Sequence, residues 1–172
     1  MTETLHVPAT STRPALVLRP WEETDAVSLV EVHRDPAMRR WLRATITSAK
    51  DAAAWLATQQ EGWRTGNRLS FAVHDGEQRL LGCVVLKNPS TSPEVGYWTA
   101  THARGLGVAT RAVDTLSEWA FATHGLAQIE LLHQADNVAS CRVAEKSGYA
   151  LRSTLPATPP FPLEGHLHVR HA

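Results

Sequence analysis

The spacing of apolar residues changes twice along this chain. Apolar residues recur every three or four positions between Ala26 and Val32 and again between Ser48 and Gly66, which predicts helices. From Leu69 to Leu86 they alternate or run together around the turn signal Asp75-Gly76, which predicts a pair of antiparallel strands. A third strand is predicted over Glu94–Thr99, and helical spacing returns after it.

The predicted elements follow a mixed order along the chain. A strand at Leu16–Leu18 precedes the first helices, and the part after residue 108 predicts helix, strand, helix, strand and strand. This order predicts a single α/β (α+β) domain with a mixed, mostly antiparallel sheet of about seven strands flanked by helices. Residues 1–12 are polar and rich in Thr and Ser, so we expect a flexible N-terminal segment there and the folded domain over residues 13–172.

Composition narrows the classes of partner. Lys plus Arg and Asp plus Glu are 17 each, so no net field attracts the chain to nucleic acid or to an anionic membrane. No apolar stretch approaches the length of a membrane span, and the N-terminus lacks the order of a signal peptide. Two cysteines fit a reducing compartment. We therefore expect a cytoplasmic protein with no nucleic-acid or membrane partner.

Histidine and cysteine positions do not favour a metal site. His166, His168 and His171 lie close together, but their alternation indicates first one face of a strand. Cys83 and Cys141 lie in apolar-rich segments, without a partner at metal-ligand spacing or an evident histidine to activate them. We therefore expect no metal, and a metal site at the C-terminal histidines is the less favoured alternative.

Gly105 and Gly107 mark the strongest candidate site. They lie between the predicted strand Glu94–Thr99 and a helix that begins near Val108. Glycine lets backbone N–H groups approach an anion with no Cβ in the way, and a helix N-terminus adds unpaired N–H groups and a positive dipole end. The turn therefore predicts a pyrophosphate site. A dinucleotide-binding fold would carry its glycines after the first strand, and a nucleoside-triphosphate loop would continue with Lys-Ser or Lys-Thr; neither is found here.

Separated motifs accompany this turn in a fixed order. The segments are Arg104-x-x-Gly107-x-Ala109, preceded by Glu94-Val95-Gly96-Tyr97-Trp98 and followed by Asp136-Asn137-Val138-Ala139-Ser140 and Glu145-Lys146-Ser147-Gly148-Tyr149. Together they resemble the GNAT superfamily of acyl-CoA-dependent N-acetyltransferases, and in particular its RimJ/RimL branch. The resemblance runs from Leu16 to Val169.

This resemblance implies acetyl-CoA as co-substrate and a primary amine as acceptor. The strand Glu94–Thr99 would splay from the next parallel strand, and the pantetheine arm of the cofactor would lie in the gap. The cofactor-binding residues that it implies are Trp98, Thr99, Ala100, Arg104, Gly105, Leu106, Gly107, Val108, Ala109, Thr110, Asn137 and Arg142.

Ser140 and Glu94 are the candidate catalytic residues. Many members of the superfamily carry a Tyr seven residues after the motif Asn, but here that position is Ala144. Ser140 is then the best remaining donor to the departing CoA thiolate, unless it is only a small residue that permits packing. Glu94 is a candidate general base, and the alternative for it is a strand residue paired with Lys or Arg.

The acceptor stays open at this level. A protein N-terminal α-amine fits the resemblance, while an amino acid, polyamine or antibiotic amine is an alternative, as is a non-catalytic acyl-CoA-binding module. A homodimer is a further open expectation. Segments 41–47 and 156–162 are expected to frame the acceptor pocket.

Overall fold

The computed structural model describes residues 3–42, 44–159 and 162–172. Its helices and strands are, in chain order, β1 (Leu5–Val7), β2 (Leu16–Pro20), α1 (Ala26–Val32), α2 (Pro36–Trp41), α3 (Ala49–Thr65), β3 (Arg68–His74), β4 (Leu80–Lys87), β5 (Glu94–Thr99), α4 (Val108–His124), β6 (Gln128–Gln134), α5 (Val138–Lys146), β7 (Ala150–Leu155) and β8 (Gly165–His171). The predicted order of elements is confirmed.

One sheet of eight strands organises the domain. Its strand order is β1-β2-β3-β4-β5-β6-β8-β7. Every neighbouring pair is antiparallel except β5 and β6, which are parallel. The predicted class, a mixed and mostly antiparallel sheet flanked by helices, is therefore confirmed. No helix in the described part of the chain is long and apolar enough to cross a membrane.

Capping residues set the helix boundaries. Ser48 accepts a hydrogen bond from the N–H of Asp51 at 3.1 Å and so begins α3, and Gly66 ends it with a φ of 71° that favours glycine. Asn137 caps α5 in the same way, through the N–H of Ser140. Ser48 and Gly66 are also the bounds of the helix that the sequence predicts.

Strand β1 corrects one expectation. Residues 1–12 were predicted to be flexible, but Leu5–Val7 pairs in antiparallel fashion with β2. Leu5 and Val7 are buried in the core while His6 between them is exposed. Two apolar residues are too few for a periodic signal, so this strand forms because the edge of β2 and the core beneath it are available.

The sheet has a hydrophobic core on each face. Helices α4 and α5 cover one face, where Phe71 and Leu116 are fully buried and the Tyr149 hydroxyl bonds Ser117 Oγ at 2.7 Å. Helices α1 and α3 cover the other face, where Leu29 and Leu56 pack. Strands β3 and β4 are therefore buried on both faces, whereas β6 is buried only on the face covered by α4 and α5.

Strands β5 and β6 separate soon after they meet. Their register includes only Glu94 opposite Glu130 and Val95 opposite Leu131, whereas β5 stays paired with β4 as far as Thr99. A cleft therefore opens between the two parallel strands toward the C-terminal end of β5. This is the splayed pair that the family resemblance implied.

Candidate active site

The glycine turn lies at the end of the β5–β6 cleft. After a short 3-10 turn at Thr101–Ala103, Gly105 and Gly107 adopt φ values of 76° and 72°, and α4 then begins at Val108. Within residues 3–42, 44–159 and 162–172, no atom accepts a hydrogen bond from the N–H groups of residues 105 to 110. Two left-handed glycines and a helix N-terminus thus present a row of free donors, which is the geometry of an anion site.

Arg13 lies against this turn, and sequence reasoning missed it. A Cβ atom placed on Gly107 would be 2.7 Å from Cζ of the Arg13 guanidinium. The loop that carries Arg13 is held by Arg111, which donates to the carbonyl oxygens of Pro8 and Pro14 at 2.8 Å each. The site therefore combines backbone donors with a cation, and this combination suits a pyrophosphate.

The Arg104 side chain is directed to α2. It donates to Asp35, whose Oδ2 also accepts from the Thr101 hydroxyl at 2.7 Å. The hydrogen bonds from Thr101 and Arg104 lower the pKa of Asp35. Because Asp35 also caps α2, Arg104 ties that helix to the glycine turn. Arg142, the other predicted basic contact, is exposed on α5.

Trp98, Thr99 and Ala100 line the diverging end of β5. The Trp98 ring contacts Trp21 and His33 at centroid distances of 6.0 and 5.4 Å, on the side covered by α1 and α3. The N–H of Ala100 already donates to Leu81 at 2.8 Å. Successive N–H groups of a strand point to opposite neighbours, so the Trp98 N–H also points to β4, and the N–H groups that face the cleft are those of Tyr97 and Thr99.

Tyr97 points to the opposite face, toward α5. Its hydroxyl is buried near the Ser140 side chain, and no described residue forms a well-aligned hydrogen bond with it. Burial raises the pKa of Tyr97 to about 12, an effect that Ser140 only partly offsets. The phenol is therefore protonated at neutral pH. The sequence indicates this orientation through strand alternation, because adjacent residues of a strand point to opposite faces and Tyr97 must therefore face away from Trp98.

Glu94 lies at the paired end of β5. Its carboxylate forms an ion pair with Lys87 at 2.5 Å, and both side chains are about a third exposed or less (28% and 31%). The Lys87 side chain crosses Gly96, where a Cβ would be 3.2 Å from Cε. This is the arrangement that the structural alternative for Glu94 predicted.

Helix α2 borders the cleft. Arg40 on α2 and Asp136 before α5 form a salt bridge at 2.7 Å, although Arg40 is 65% exposed. Together with the contact of Asp35 to Arg104, this pair places α2 between the glycine turn and the start of α5. Of the segments expected to frame the acceptor pocket, residues 43, 160 and 161 lie outside the described residues.

Comparison with known proteins agrees with this geometry. The profile of the acetyltransferase (GNAT) domain matches residues 15–150. No curated protein matches the chain in sequence. RimJ from Mycobacterium smegmatis, solved with CoA-disulfide, superposes with a TM-score of 0.84 at 21% identity and covers 99% of this chain and 87% of its own.

Two further solved structures share the fold. RimL, a ribosomal α-N-protein acetyltransferase solved with coenzyme A, gives a TM-score of 0.83 at 16% identity over 96% of this chain and 97% of its own. The microcin C7 self-immunity acetyltransferase MccE, solved with acetyl-CoA and AMP, gives 0.83 at 14% identity over 95% and 98%.

The fold and the glycine turn define an acetyltransferase domain. Since the matching profile spans most of the chain, the protein belongs to the GNAT family of N-acetyltransferases. The predicted family and enzyme class are therefore confirmed, and the likeness to RimJ and RimL structures agrees with the branch that the motifs resemble.

Proposed function

We propose that this chain transfers the acetyl group of acetyl-CoA directly to a primary amine, without a covalent enzyme intermediate. The observation that carries the proposal is the row of free N–H groups from Gly105 to Thr110 beneath the Arg13 guanidinium. This row lies at the end of the β5–β6 cleft, where the pyrophosphate of an extended CoA molecule would be held while its pantetheine arm follows Trp98 and Thr99.

The reaction then needs a neutral amine and a proton for the leaving group. The amine nitrogen attacks the thioester carbonyl and a C–N bond forms. The nitrogen then gives up a proton, the C–S bond breaks, and CoA leaves as a thiolate that takes up a proton. The backbone N–H of Thr99, on the cleft side of β5, would stabilise the oxyanion of the intermediate. Cys83 is unsuited to an acyl-enzyme route because burial raises the pKa of its thiol to about 11.

Ser140 remains the proposed proton donor to the thiolate, and we propose that Tyr97 in turn supplies a proton to Ser140. Ala144 removes the usual phenol from α5, but Tyr97 brings a protonated phenol to Ser140 from β5. The pair can deliver a proton to the thiolate and recover one from solvent through the cleft. For Glu94 we retain the role of a base acting through water. The ion pair with Lys87 favours the alternative, a structural role for this carboxylate.

We expect Ser140→Ala and Tyr97→Phe each to lower kcat about 100-fold, the low end of general acid catalysis, with little change in the KM for acetyl-CoA. Because the two hydroxyls act in one relay, the double variant should be no slower than the slower single variant. Steady-state thiol release measures all three. Tyr149→Phe is the matched control, since that buried phenol bonds Ser117 in the core and should affect stability alone. A kcat within twofold of wild type for both single variants would remove the relay.

Arg13→Ala should weaken acetyl-CoA binding about tenfold, which corresponds to about 1.4 kcal/mol, because one charge-assisted contact to the pyrophosphate is lost. Calorimetric titration with acetyl-CoA measures the effect. Acetyl-pantetheine, which lacks the pyrophosphate, should bind both proteins equally. Arg64→Ala is the control, because Arg64 pairs with Glu61 at the far end of α3. An unchanged Kd in Arg13→Ala would exclude this role.

For the acceptor we propose a protein N-terminal α-amine. The motif resemblance to RimJ/RimL supports this choice, and an acceptor would enter where α2 borders the cleft. Peptides that begin with Ser, Ala or Met, together with amino acids, polyamines and aminoglycosides, should be scored by thiol release and mass spectrometry. Acetylation of peptide α-amines supports the proposal. Acetylation of small amines alone would contradict the α-amine proposal and make a small amine the acceptor. Binding of acetyl-CoA without turnover on any amine would favour the acyl-CoA-binding module.

A further inference from the structure

Four potential metal ligands meet between α5 and the sheet. They are His133 on β6, His166 and His168 on β8, and Cys141 on α5, and one ligand atom from each lies within 4.8 Å of all the others. His133 stands directly opposite His166 in the antiparallel register, and His168 follows on the same face. Only His168 is fully buried, so the cluster is accessible from solvent.

The distances within the cluster match a tetrahedral metal site. His133 Nε2 lies 3.1 Å from His168 Nε2, and Cys141 Sγ lies 3.5 Å from His133 Nε2 and 3.4 Å from His166 Nδ1. Tetrahedral zinc, with Zn–N of about 2.05 Å and Zn–S of about 2.3 Å, places two nitrogens about 3.3 Å apart and nitrogen and sulfur about 3.6 Å apart. These three distances are within about 0.2 Å of that geometry, and the remaining ligand atoms lie within 4.8 Å of one another.

Hydrogen bonds to the outer ring nitrogens fix the tautomers. His133 Nδ1 lies 2.8 Å from the carbonyl oxygen of Gln134, and His168 Nδ1 lies 3.2 Å from that of Tyr149. A carbonyl oxygen only accepts, so both Nδ1 atoms carry the proton. The Nε2 atoms of the two rings then face each other at 3.1 Å, and either a metal ion or a proton between them relieves the repulsion of their lone pairs. Backbone carbonyls that orient ligand histidines in this way are a regular feature of metal sites.

We propose that Cys141, His133, His166 and His168 bind one Zn²⁺ ion. Mixed nitrogen and sulfur ligands in a tetrahedron favour zinc over the hard cations Mg²⁺ and Ca²⁺. Four protein ligands leave no open position, so the ion is structural rather than catalytic. It would fasten α5, which carries Ser140 and is capped by Asn137, to β6 and β8. This replaces the sequence-based expectation of no metal.

The ligand set could not be seen in the sequence because its members are joined only by the fold. Cys141 comes to the histidines from a helix, while His133 and His166 meet through strand pairing. The sequence groups His171 with His166 and His168. On β8, however, it lies an odd number of residues from each of them, so its side chain is on the other face of the strand.

The test is metal uptake by the full chain. Protein stripped with a chelator and titrated with Co²⁺, a spectroscopic substitute for zinc, should bind one ion per chain with the intense visible bands of tetrahedral cobalt and a thiolate charge-transfer band. Zn²⁺ should displace the cobalt and raise the thermal midpoint of the wild type.

Variants assign the ligands. Cys141→Ser should abolish the thiolate band, and His166→Gln should weaken Co²⁺ binding at least about 100-fold, since the loss of an orienting partner alone costs 10–100-fold. His171→Gln and Cys83→Ala are the controls and should retain the spectrum. Circular dichroism verifies that each protein is folded. No Co²⁺ uptake by folded wild type, or a spectrum that survives Cys141→Ser, would overturn the site and leave a shared proton between His133 and His168.

Discussion

Gly107→Val is expected to raise the Kd of acetyl-CoA at least about 100-fold, or about 2.8 kcal/mol, while the domain still folds. Gly107 has a φ of 72°, which a β-branched residue adopts only under strain. Its new side chain would also enter the space of the Arg13 guanidinium, where a Cβ alone comes within 2.7 Å of Cζ. The substitution therefore displaces the cation and covers the N–H groups of the turn. Calorimetric titration with acetyl-CoA measures the loss.

Gly125→Val provides a matched control at the other end of the same helix. Gly125 has a φ of 60°, and no atom of the described residues lies within 4 Å of a Cβ placed there. This variant therefore carries a similar backbone strain without touching the glycine turn. It should lose stability and keep the wild-type Kd. A folded Gly107→Val protein that binds acetyl-CoA as tightly as wild type would refute the pyrophosphate site.

Asp25→Asn should lower the free energy of unfolding by about 3–5 kcal/mol at pH 7, the cost of breaking a buried ion pair. Asp25 is only 5% exposed and accepts two hydrogen bonds from Arg19, at 2.9 and 2.8 Å, and one from the N–H of Glu22 at 2.9 Å. His74 Nε2 lies 3.3 Å from Oδ1 on the other side. The neutral amide would leave the Arg19 charge inside the fold without its partner. Urea unfolding measures the difference.

The same carboxylate predicts a pH dependence. Burial favours the protonated form of Asp25, but the hydrogen bonds from His74, Arg19 and Glu22 outweigh it and hold the pKa well below its usual range. Its stabilising contribution is therefore complete above the unfolded pKa of about 3.9 and declines as the pH falls below it. The gap between wild type and Asp25→Asn should narrow by about 1 kcal/mol at pH 3.

Glu23→Gln is the control for Asp25→Asn. It removes one negative charge from an exposed side chain two residues before Asp25 and should leave the unfolding midpoint nearly unchanged. A loss under about 1 kcal/mol in Asp25→Asn at pH 7, or an equal gap at pH 7 and pH 3, would contradict the stabilising role of the buried pair.

Most of the helices and strands could be predicted from signals that act over a few residues. Ser48, Gly66 and Asn137 each act on their own backbone or on a residue three positions away, so their effect is readable in the sequence. Strand β1 was missed because its formation depends on the edge of β2 rather than on its own three residues.

In the candidate site, too, local features could be predicted from the sequence and contacts between distant residues could not. The glycine turn is a contiguous motif, and it lies where the sequence placed it. Arg13 reaches that turn from a loop more than ninety positions earlier, and Tyr97 meets Ser140 only because β5 and α5 are packed together. Contacts of this kind depend on tertiary packing, which no spacing rule in a single sequence encodes.

Acetyl transfer itself is tested by measuring CoA thiol and acetylated amine in one reaction. We predict that wild-type protein with acetyl-CoA and an accepted amine forms the two products in equal amounts, and that thiol release falls to the uncatalysed rate when either the protein or the amine is left out. Binding of acetyl-CoA with the same slow thiol release in the presence and absence of every amine tested would contradict transferase activity.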